Sequence, residues 1–132
     1  MSAELIVASL LNVTGVTALV GTRKALRQLP QNTAMPALVY QVIDSVATPH
    51  LNYATERQMA RARVQINPLA LDVGGVKSIH AAVRAALDFK QQVTAAGKTV
   101  ISCRLETTGL MDRDNDAGVW TQPADYILMY YE

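Results

Sequence analysis

The stretch "RQMARARVQINPL", Arg57 to Leu69, alternates with a period of two. Gln58, Ala60, Ala62, Val64 and Ile66 fall on one side, and Met59, Arg61, Arg63, Gln65 and Asn67 on the other. Successive side chains of a strand point to opposite faces, so this pattern specifies a strand with one face buried and one polar. The polar face needs an occupant: water, nucleic acid, a substrate or another protein.

The flanking chain places that strand in a mixed fold. Ser2 is positioned to cap a first helix, with Glu4 near the positive end of its dipole. Leu5, Ile6, Ala8, Leu10 and Leu11 are too continuously apolar to define a narrow stripe, so this helix is expected to be well buried. Asn12 to Gly15 breaks it, and "VTALVG" reads as a short helical turn stopped by Gly21. Lys24 to Leu29 reads as a brief strand closed by Pro30. "ALVYQVIDSV", opened by Pro36, is rich in β-branched and aromatic residues, as strands are. Pro68 is expected to end the ladder of the alternating strand. Asp72 should cap a second main helix in which Val76, Ile79, Val83 and Leu87 share a face with Ala82 and Ala86. Lys77, Arg84 and Asp88 should then face water. Gly74 and Gly75 are expected to fray the first turn. Gly97 turns into "KTVISCRLETT", and a loop from Gly109 to about Trp120 leads to "ADYILMYY". The reading is an α+β fold: a mainly antiparallel sheet with two main helices packed on one face, in a single domain spanning 1–132.

Composition limits the partners. With 132 residues the chain can build one core without staples. Net charge is +1, with scattered basic residues. A duplex-binding domain carries a clear basic surplus, so nucleic-acid affinity is disfavoured. Charged residues make up 17% of the chain, against about a quarter in ordinary soluble domains. So little charge points to surface hidden against partners. No apolar run reaches the ~20 residues needed to span a bilayer, and "LIVASLL" lacks the basic leader and cleavage site of a signal peptide. No membrane partner is expected.

Chemical motifs fail one by one. "DRDNDAG" puts Asp112, Asp114 and Asp116 at the first three ligand positions of an EF-hand loop. Its sixth position is Ala117 rather than glycine, and its twelfth is Pro123 rather than glutamate. An acidic turn between strands is the better reading. His50 and His80 have no second ligand at metal spacing. Cys103, the sole cysteine, sits in an apolar alternation as a buried, inert thiol. Gly74-Gly75 lacks the frame of a phosphate loop. No catalytic, cofactor-binding or metal residues are assigned, and no cofactor is expected.

Several stretches in order resemble the tail-terminator (tail completion) family of long-tailed bacteriophages. They are "VTALVGTR" (16–23) with "LPQ" (29–31), "MPALVYQ" (35–41), "ARARVQI" (60–66) and "AAVRAAL" (81–87), closed by a tyrosine-bearing strand. Gly74-Gly75, in place of stronger helix formers, and a longer segment from Asp88 to Gly97 depart from the pattern. The resemblance implies a small α+β structural protein that closes as a homo-oligomeric, hexameric ring on the finished tail tube. Its partners would be the tail tube protein and a neck or head-completion protein, with DNA only as passing cargo in the lumen. It implies a place at the tail–neck junction of the virion, after assembly in the host cytoplasm. A neck or head-completion subunit and a small nucleic-acid-binding module are the alternatives.

Within that picture Arg61, Arg63 and Gln65 face water, a neighbouring subunit or the tube. Asp112, Asp114 and Asp116, the densest acidic cluster, are candidate partners for the arginine forks. The loops Thr48 to Glu56 and Gly109 to Gln122 are candidates for axial contacts. Tyr53 and Trp120 are either interface anchors or lids over their own core.

Overall fold

The computed structural model describes residues 2–29, 33–48 and 59–131, with the side chains of Ser2 and Thr48 left aside. In chain order the elements are α1 (Ser2–Leu11), α2 (Thr14–Val20), β1 (Lys24–Leu26), β2 (Ala37–Thr48), β3 (Met59–Ala70), α3 (Val73–Leu87), β4 (Lys90–Ala95), β5 (Lys98–Thr108), β6 (Asp112–Asp114), β7 (Val119–Thr121) and β8 (Ala124–Tyr131). The strands form one sheet ordered β1-β2-β3-β8-β5-β4, with β7 paired to the far end of β3 and β6 to β7.

The alternation read from the sequence holds throughout β3. Ala60, Ala62, Val64, Ile66, Pro68 and Ala70 are buried, while the residues between them are partly or fully exposed. The buried row joins a core shared with Leu38 of β2, Tyr126, Leu128 and Tyr130 of β8, and residues from all three helices.

Several expectations need correction. The short helical turn expected at "VTALVG" is a full helix, α2, stopped by Gly21, so the described residues hold three helices rather than two main ones; β1 runs parallel to β2 in a sheet otherwise antiparallel. The continuous apolar run of α1 does resolve into a stripe: Ala3, Ile6, Val7 and Leu11 are buried, whereas Leu5 is exposed. An 83° bend separates α1 from α2. Among the described residues no single helix is long and apolar enough to cross a membrane. The segment Asp88 to Gly97, read from the sequence as a lengthened connection, contains the edge strand β4. Its residues "KQQVTA" carry too little apolar alternation to announce a strand.

Pro68 does not end the ladder. It stands opposite Leu38, whose own N–H donates to the Arg23 carbonyl on the β1 side at 2.9 Å. Leu38 and Pro68 therefore form a non-hydrogen-bonded pair, and the Pro68 nitrogen faces the other way. On that side β8 pairing stops at Ile66 and β7 pairing starts at Leu69, so no ladder bond is lost.

A bulge in β2 sets the outer face. Val42 stands opposite Val64, but Asp44 rather than Ile43 stands opposite Arg63. The extra residue reverses the side-chain parity beyond it, sending Asp44 outward and Ser45 toward the Tyr130 hydroxyl at 3.3 Å.

The cap of α3 forms as read. The Asp72 carboxylate accepts from the Gly75 N–H at 2.6 Å. Gly75 belongs to that cap rather than to a frayed turn. A β-carbon there would lie 2.8 Å from Ala70 Cβ and 2.9 Å from Asp72 Oδ1. Asp88, expected to face water, is instead buried at the other end of the helix, with its side chain 5% exposed. It accepts from the Leu105 N–H and from Arg84 Nε, each at 2.9 Å, and so ties the helix end to β5.

Candidate functional site

Two surfaces carry the residues singled out from the sequence. The first is the outer face of the sheet, where β3 presents Arg61, Arg63, Gln65 and Asn67. Gln65 Oε1 accepts from Gln41 at 3.0 Å and from Asn67 at 3.1 Å, a polar ladder across β2 and β3. Arg63 Nε donates to Asp125 on β8 at 2.9 Å. The two arginines are therefore not equivalent. Arg63 is engaged within its own chain, whereas Arg61 is exposed and makes no ion pair among the described residues.

Arg63 has a second role. Its register neighbour on β8 is Ile127, whose other neighbour on β5 is Arg104. Ile127 is 2% exposed yet lies on the face away from the main core. The apolar stems of the flanking arginines are the groups placed to cover it. Arg104 itself pairs with Glu106. Asp125 and Ile127 were not singled out from the sequence. Their lone positions within a mostly apolar strand give no sign of a partner on the adjacent strand β3, which is distant in the chain.

The second surface is a hairpin arm, β6 and β7 joined by the turn Asn115–Gly118. Asp114 uses its carboxylate to build the turn, accepting from the Asp116 N–H at 3.0 Å and the Ala117 N–H at 3.3 Å. Gly118, at φ +69°, closes it by donating to the Asp114 carbonyl. Asp112 accepts from the N–H of Arg113. The acids are thus part of a structured turn rather than an open chelate. Among the described residues no group of three or more His, Cys, Asp or Glu is placed to hold a metal ion. Trp120, on β7, is partly buried and packs against the core.

Arg61 and the arm lie at opposite ends of β3. Trp120 and Thr121 pair with Ala70 and Leu69, eight residues beyond Arg61, which is about 27 Å of extended chain. The acidic arm cannot reach Arg61 of the same chain. His50 and Tyr53, and nearly all of the loop Thr48 to Glu56, lie outside the described residues.

The remaining titratable groups are structural. His80 Nε2 donates to the Gln122 carbonyl at 2.7 Å, which fixes α3 to the base of the arm. Burial lowers its pKa and the nearby Lys77 adds to this, while the Gln122 bond acts the other way. A cleft of about 350 Å³ beside it is lined by Lys77, Arg84 and Tyr126. Arg84 is committed to Asp88 there, so the cleft holds little free charge. Burial pushes the Cys103 thiol up to about 12, with the Asp88 carboxylate adding to the shift. The thiolate that a nucleophile requires is suppressed.

The model of the family described as "Tail completion protein gp17" matches residues 4–124. The chain belongs to this family. It is a bacteriophage tail completion structural protein. No curated protein sequence matches the chain. A chain from the "Virion of native gene transfer agent (GTA) particle" superposes with a TM-score of 0.71 at 14% identity, covering 98% of this chain and 97% of that one. A second solved structure gives a TM-score of 0.61 at 16% identity, over 100% of this chain and 96% of the other. At those identities the likeness shows a shared fold.

Proposed function

We propose that this tail completion protein closes as a hexameric ring on the last ring of a finished tail tube. It stops tube growth there and presents the surface to which the neck of the filled head docks. Membership of the tail completion family across residues 4–124 carries this reading. The solved chain of similar fold comes from a virion particle, which supports a place in the assembled particle at the tail–neck junction. Exposed apolar side chains, among them Leu5, Leu71, Phe89 and Leu110, supply surface that ring closure and axial partners would cover. The outer sheet face, with Arg61 and Gln65, and the arm, with Asp112, Asp116 and Trp120, are the surfaces we assign to these contacts.

Purified protein mixed with preformed tail tubes should appear as a ring of density at tube ends and should halt further growth. Bare ends at saturating protein, with binding to portal-filled heads instead, would move the chain to the neck.

A further inference from the structure

The chain carries an apolar knob and an apolar hole at opposite ends. The knob is Leu110, 82% exposed in the segment that leads into the arm. The hole is a groove of about 480 Å³ between α1, α3 and β4, lined by Leu10, Val13, Ala82, Ala85, Ala86 and Val93. Val93 pairs with Val100 at the start of β5, and Leu110 follows the end of that strand. The eight-residue run from Val100 to Thr108 puts about 27 Å between Val93 and the end of β5, and the five-residue run from Cys103, opposite Lys90, about 17 Å between the near rim and that end. A chain cannot fill its own groove with this knob. Another copy can.

Charge follows the same division. Lys90 is the charged residue in the groove lining, and Lys98 pairs across the β4–β5 hairpin with Ala95, another lining residue. Neither lysine makes an ion pair with a described residue. Asp112 stands two residues from Leu110 at the base of the arm, and Asp116 lies in the turn at its tip; neither is required to hold the turn as Asp114 is. A small apolar hole rimmed by lysine faces an apolar knob flanked by aspartate.

We infer that the arm of one copy docks into the α1–α3–β4 groove of the next, with Leu110 seated among the alanines and Asp112 and Asp116 against Lys90 and Lys98. The contact rests on the ring reading and deepens it. It joins two different patches, so it is head-to-tail, and a head-to-tail contact closes into a ring when its rotation divides the circle. It also assigns the acidic arm to the lysines rather than to Arg61.

The test uses the full chain with preformed tail tubes. A variant carrying Leu110→Cys and Ala85→Cys, treated with a short bismaleimide, should give a covalent ladder of oligomers. Each single variant should stay monomeric, because its one engineered thiol meets no thiol across a head-to-tail contact. The buried Cys103 thiol does not compete. Separately, Lys90→Glu with Lys98→Glu should weaken tube capping by at least about tenfold at low salt, and Asp112→Lys with Asp116→Lys in the same chain should restore it. Rings on tubes with no ladder and no effect of charge reversal would overturn this contact while leaving the ring intact. Rescue of the arm reversal by Arg61→Glu would overturn it in favour of the outer sheet face. Neither rings nor a ladder would remove the ring reading and this contact with it.

Discussion

Replacing Arg63 by alanine should cost more stability than replacing Arg61, although the two sit on the same face of the same strand. The Arg63–Asp125 pair is partly shielded, with side chains 32% and 17% exposed, and we assign it up to about 1 kcal/mol. Truncation also strips the stem from one side of Ile127. Burying an isoleucine side chain fully is worth about 1.5–3 kcal/mol, so exposing roughly a third of it costs about 0.5–1 kcal/mol. The sum is about 0.5–2 kcal/mol for Arg63→Ala, against less than about 0.5 kcal/mol for the exposed Arg61→Ala. Urea unfolding of both variants at low salt measures this difference. A double-mutant cycle with Asp125→Ala isolates the ionic part, which should shrink in 1 M salt, where screening acts over about 3 Å. Equal losses at Arg61 and Arg63, or no coupling to Asp125, would refute the division of labour.

Adjacent glycines should respond with opposite signs. Gly74→Ala meets nothing nearer than 3.9 Å and should stabilise by up to about 1 kcal/mol, whereas Gly75→Ala disrupts the Asp72 cap and should destabilise by about 1 kcal/mol or more. Denaturant midpoints of the two variants decide it. Burial alone would raise the Asp88 pKa, but the bonds from Leu105 and Arg84, together with the Arg84 charge, hold it below the usual carboxylate value. Its contribution is then present above the unfolded pKa of about 3.9 and is lost as pH falls through the lower folded value. The stability gap between the parent and Asp88→Asn should accordingly close below about pH 4. Cys103 should stay unmodified by a thiol reagent in native protein and react fully in denaturant, as read by mass spectrometry.

What was legible in the sequence was what short-range pattern encodes. The β3 alternation, the apolar face of α3 and its Asp72 cap depend on spacings of two, three and four residues. What was not legible depends on partners distant in the chain. Arg61 and Arg63 look alike in sequence, and only the register with β8 gives one of them an acid and an isoleucine. Asp88 looked solvent-facing from its helical position, because nothing local shows that β5 brings the Leu105 N–H to its carboxylate. Strand β4 was hidden by polarity, as edge strands often are. The parity reversal at Ile43 could not be seen, since an extra residue in one strand exists only relative to its neighbour. Of the site candidates, Arg61 and Gln65 lie on the outer sheet face and the acids in one structured turn. The separation of Arg61 from the acidic turn by the length of β3, and the groove between α1, α3 and β4, emerged from the topology.

The seam at Pro68 has a mechanical consequence. β3 serves two partners in succession, and the residue between them has no amide hydrogen with which to stitch β8 and β7 into one continuous run. The arm is then fastened to the sheet by the Leu69–Thr121 and Ala70–Trp120 register pairs and by the clasp between Gly109 and Pro123, and to the rest of the molecule by Trp120 against the core and His80 on the Gln122 carbonyl. Releasing those few anchors would open the arm as a local unit while the pairing of β8 with β3 and β5 stays intact. In the ring we propose, such an arm would let a subunit shift its grip on a neighbour during assembly while its core stays folded.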